Sequence, residues 1–137
     1  MNRTGLQQFA QLRLTEARTL LQAGLPDGAY YLAGYAVECA LKACIAKATG
    51  EHDFPDKALV NKSWTHDLEQ LLGVAGLKQK LEEQKAANPM FAANWNVVKD
   101  WSEDTRYERH SQAKAQSYYE AVGDKDRAVL EWLKAYW

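Results

Sequence analysis

Arg106 and His110 are the residues of this chain best suited to act on a phosphodiester; three residues separate them in the stretch WSEDTRYERH, 101–110. Metal-free RNA cleavage needs a base to take the 2′-hydroxyl proton and a fixed cation to hold the charge developing on phosphorus. Histidine titrates near neutrality and suits the first task. Arginine, always charged and planar, suits the second. Tyr107 adjoins them, and with Trp95 and Trp101 upstream it offers aromatic faces on which bases could stack. The two tryptophans suit a hydrophobic core equally well. On a continuous helix, residues four apart share a face, whereas Asp104 and Thr105 suggest a loop or cap here.

Two other places could carry chemistry. From Gly28 to Ala46 the only charges are Glu38 and Lys42. A buried carboxylate without a partner is costly, so Glu38 must find one. Lys42 lies one turn later in the favourable acid-then-base order. Glu38 therefore serves either a structural ion pair or hydrogen bond, or the orientation of a catalytic base or ligand. His66 lies between Thr65 and Asp67 at a helix start, where the dipole disfavours the imidazolium. A neutral role in capping, packing or binding follows. The candidate ligand-contacting set is Glu38, Lys42, His66, Arg106 and Tyr107, and the candidate catalytic pair is Arg106 with His110.

Much other chemistry is excluded. His52, His66 and His110 fall in three separate segments and neither cysteine has a CxxC partner, so no metal site is expected. The sequence has no P-loop, no GxGxxG after a strand and no nucleophile-elbow serine, and no cofactor is expected. Cys39 and Cys44 lie five apart on one apolar helix, roughly 140° around its axis, which rules out a bridge between them. They read as buried free thiols of a reducing compartment. Seventeen basic and eighteen acidic side chains leave a formal charge of −1, with no overall field to draw a polyanion. MNRTGLQQFAQLRL lacks the apolar run of a signal peptide, and no stretch reaches the ~18–20 apolar residues of a membrane span. A cytoplasmic protein with no membrane partner is expected.

The elements that must hold these residues are all helical. At 137 residues, with 47% hydrophobic and 26% charged side chains, the chain suits one domain, 1–137, able to bury a core. Three- and four-residue spacing of Leu6, Phe9, Ala17, Leu20 and Leu21 predicts a first helix over 4–23, closed by Gly24 and Pro26. Asp27 suits the N-cap of a second helix, apolar nearly all round and hence enclosed by its neighbours. Residues 50–62, polar and containing Pro55, read as a loop. Ser63 or Thr65 would cap a short helix through SWTHDLEQLL, and Leu77 to Ala87 forms another, broken at Asn88-Pro89. Phe91, Trp95, Val98 and Trp101 make one helical stripe. A final helix runs from about Ser111 to the C-terminus, continuous through a soft point at Gly123-Asp124.

Four blocks in order, GAYYLAGYAVECALKA, THDLEQLL, NWNVVKDWSEDTRY and AVLEWLK, resemble the HEPN domain family over roughly Phe9 to Trp137. The resemblance implies an antiparallel four-helix bundle with one or two extra short helices. It implies an RNA- or nucleotide-binding or interaction module, a homodimer, in some cases paired with a minimal nucleotidyltransferase antitoxin. Cleaving members share an Arg-x(4–6)-His motif at a dimer interface, which would make this chain a metal-independent toxin-type endoribonuclease through Arg106 and His110. Here the gap is three residues, so the binding module is the first expectation and the ribonuclease the second.

Overall fold

The computed structural model describes residues 2–50 and 57–137, and within them every regular element is helical. His52 and Pro55 lie outside the described residues, as does the 51–56 part of the loop expected over 50–62.

Helix α1 (Arg3–Gln22) starts where the Asn2 side chain accepts a 2.8 Å hydrogen bond from the Gly5 N–H. Such a bond satisfies one of the amides that a helix start leaves open. It ends at Gly24, whose φ of 76° is the left-handed conformation that glycine adopts freely. The connection 23–25 is short, so α2 (Pro26–Thr49) doubles back along α1, and these two helices make the most extensive pairing in the fold. Asp27 is not the N-cap expected. Proline fixes φ and has no N–H to lose, so it sets the first helical position at Pro26 and leaves Asp27 inside the first turn.

As its composition requires, α2 is enclosed. It packs against α1, α4 (Leu68–Val74), α7 (Gln112–Tyr119), α8 (Val129–Leu133) and a 3-10 turn (Glu103–Tyr107). Ala33, Ala36, Ala40 and Ala43 are fully buried and keep those neighbours close. At Gly34 even a Cβ atom would overlap the Trp101 ring, so the helix needs glycine there to seat the indole. Trp95, Trp101, Phe91 and Tyr118 are the largest side chains removed from water. Each contributes about 1.5–3 kcal/mol of transfer free energy or more. The stacking faces considered for Trp95 and Trp101 are therefore occupied by core.

Three local expectations are corrected. Part of the expected loop is helix α3 (Lys57–Lys62). The cap of α4 is neither Ser63 nor Thr65 but Asp67, which accepts from the Gln70 N–H at 2.9 Å. Finally, the last segment is not one helix. After α7 the backbone widens into a π-turn (Glu120–Asp124), turns through Arg127 at φ 61°, and restarts as α8. The break holds because the buried Asn94 amide on α6 (Pro89–Val98) donates to the carbonyls of Asp126 and Arg127, at 3.2 and 3.0 Å. Helix α5 (Lys78–Ala87) precedes α6, with Asn88 capping the latter. No helix among the described residues is long and apolar enough to cross a membrane.

Candidate functional site

On α2, Tyr31, Tyr35, Glu38 and Lys42 recur at helical spacing and form one stripe. Glu38 is the buried member, 2% exposed. His66 Nδ1 donates to its Oε1 at 2.5 Å, and Lys42 Nζ stands 3.8 Å from Oε2. The acid therefore points inward and finds basic partners, as burial demanded.

His66 does more than answer Glu38. Its Nε2 faces Glu103 Oε2 at 3.2 Å, so the ring is held between two carboxylates. A neutral imidazole has a single N–H, and only the imidazolium donates to both acids. Of the roles expected for His66, capping falls to Asp67, which accepts from the Gln70 N–H. The Glu38–His66–Glu103 chain ties α2, the entry to α4 and the 3-10 turn together. Glu103 carried no signal in the sequence, because its partner lies in a distant segment.

That same turn presents Arg106. Its guanidinium is at the surface and lies 4.8 Å from the ring centre of Tyr107, itself 76% exposed. The adjoining Tyr107 raises the pKa of Arg106, with Tyr31 and Glu103 adding to the rise. Lys42, Glu38, His66 and Glu103 form one linked cluster, and Arg106 and Tyr107 lie on the same 3-10 turn as Glu103.

His110 is elsewhere. Glu108 is extended, so Arg106 and His110 do not share a helix. The His110 backbone N–H donates to Asp27 Oδ1 at 2.5 Å, and Arg109 Nε pairs with Oδ2 of the same carboxylate at 2.9 Å. This clamp, where an acid in the first turn of α2 also meets the positive end of the helix, turns the imidazole inward. The ring stacks on Tyr30 at 3.9 Å and 9° and its side chain is 1% exposed; neither nitrogen makes a hydrogen bond among the described residues, and Nε2 stands 3.7 Å from Glu108 Oε2. Burial raises the Tyr30 hydroxyl pKa, with Glu108 and Asp100 adding to the rise. The two thiols are free and buried, and burial pushes each up to about 11.

A family model described as HEPN domain matches residues 6–136. The chain belongs to the HEPN domain family. No curated protein and no solved structure matches it. An all-helical bundle around an apolar α2 is what membership implies, and the fold agrees. Membership also supports a nucleotide- or RNA-interaction module or a ribonuclease-like protein as the class of function. Among the described residues, no group of three or more His, Cys, Asp or Glu is placed to hold a metal ion.

Proposed function

We propose that this HEPN domain is a homodimeric module that binds single-stranded RNA or a nucleotide without cleaving it, acting beside a nucleotidyltransferase partner. The observation that carries the reading is the opposite placement of the two residues whose chemistry could cut RNA. Arg106 is open to solvent beside an exposed tyrosine, a pairing that offers a phosphate fork next to a base-stacking face. His110 is enclosed, stacked and backbone-clamped, with no nitrogen open to a 2′-hydroxyl. The ion-pair chain through His66 fixes the turn on which Arg106 sits.

Affinity for a short single-stranded RNA, measured against salt concentration, tests this. Each phosphate neutralised on a single strand contributes about 0.7 to the slope of log K against log salt. Arg106→Ala should reduce the slope by about that amount, and Tyr107→Ala should weaken binding without changing it. Wild-type protein with no affinity for RNA at low salt, and no thermal shift with nucleotides, would leave the proposal without support. Sedimentation analysis reads the dimer directly.

A further inference from the structure

Beside the polar stripe, α1, α2 and the segment after α3 enclose a cleft of about 860 Å³. That is the size of a small-molecule site, and its composition fits one: mostly apolar, with a few converging polar groups. Phe9, Tyr31, Tyr35 and Trp64 supply ring faces, and Leu32 and Ile45 much of the aliphatic wall. Trp64 stands at the mouth, 75% exposed, the most open of the five tryptophans. A large ring left bare beside an apolar hollow marks a surface that gains by being covered.

The polar groups set the sign of the ligand. Glu38 is the acid of the lining, and both its oxygens are engaged, Oε1 by His66 and Oε2 by Lys42. Donors are in surplus. Arg13 uses Nη1 on Glu16 at 2.6 Å, leaving the other edge of its fork. Lys42 has three N–H groups and holds Glu38 only at 3.8 Å. Both cations line the cleft, Arg13 from α1, with its guanidinium 5.3 Å from the ring centre of Phe9, and Lys42 from α2. An apolar hollow lined by two cations, with its one carboxylate already engaged, is complementary to an anion carried on an apolar body.

We propose that this cleft binds a small organic acid, with an aromatic body among Phe9, Tyr35 and Trp64 and a single carboxylate received by Arg13 and Lys42. A nucleotide is a poorer match, because the lining is mostly apolar and its one carboxylate, Glu38, is already engaged by His66 and Lys42. The site uses neither Arg106 nor Tyr107, so it stands independently of the RNA reading.

2-Naphthoate is the probe, titrated into the full chain with tryptophan fluorescence as the readout. A saturable change is expected, lost in Trp64→Phe. Arg13→Gln and Lys42→Gln should each weaken binding about tenfold or more, the scale of a lost charge-assisted hydrogen bond. The uncharged 2-naphthalenemethanol should bind more weakly by a similar factor. Arg13 is partly exposed, so Arg13→Gln keeps the test decisive if Lys42→Gln disturbs Glu38 and the fold. The proposal is overturned if naphthoate shows no saturable effect at millimolar concentration, or if Arg13→Gln binds like wild type. Equal binding of acid and alcohol overturns it as well, as does AMP changing the Trp64 signal where naphthoate does not.

Discussion

His66→Ala strips Glu38 of the 2.5 Å hydrogen bond to Oε1 and leaves a carboxylate that is 2% exposed. Lys42 Nζ at 3.8 Å from the other oxygen balances charge but is too distant for a good hydrogen bond. Removing one partner of a fully buried ion pair costs about 3–5 kcal/mol. Here Lys42 remains, and the His66 side chain is 40% exposed, so water can enter the space it leaves. Both effects lower the loss to about 2 kcal/mol. Unfolding entropy of about 2.1 cal/mol/K per residue, over 137 residues, converts this to a fall in Tm of roughly 7 °C. Thermal and urea unfolding followed by circular dichroism measure it. Glu38→Gln is the control: its amide oxygen still accepts from Nδ1, and a second substitution of His66 in that background should cost less, because no buried charge is stranded. A shift under about 2 °C for His66→Ala in the native background would refute the claim that Glu38 depends on this histidine.

Gly34→Ala places a methyl group in the Trp101 ring, and overpacking of that kind should cost about 1–3 kcal/mol and alter the near-ultraviolet signal of the indole. The two thiols should resist alkylation at pH 8 in the native protein and react at once in urea. Their folded pKa values near 11 lie above the 9.0 of an open thiol. Between those values the unfolded chain binds fewer protons than the native one, so stability is complete below about pH 9 and falls as pH rises through 11. A native protein equally stable at pH 8.5 and 11 would contradict this.

Which parts of this were legible in the sequence follows from the range of the interactions. An apolar run from Gly28 to Ala46 with one acid could only be an enclosed helix with that acid turned toward a base, and α2 is so placed. Glu38 and Lys42 are one turn apart, so spacing alone revealed their pairing. His66 and Glu103 are not, and the site's central link was invisible for that reason. The break before α8 was hidden because Tyr118, Val122, Val129 and Leu133 keep helical phase across it. What interrupts the helix is a left-handed Arg127 and the Asn94 amide, and neither leaves a local mark. At Asp27 two local signals competed. The proline set the helix start, which released the carboxylate to clamp residues 109 and 110. That clamp decides where His110 points, and nothing in the spacing of Arg106 and His110 could show it.

The most direct test of binding without cleavage is the integrity of the RNA itself. Total RNA incubated with a molar excess of wild-type protein, in chelator and without added metal, should be recovered at full length from a complex that His110→Ala forms equally well. Fragmentation by the wild-type protein that disappears in His110→Ala would contradict the account, because it would require that buried imidazole to reach the substrate.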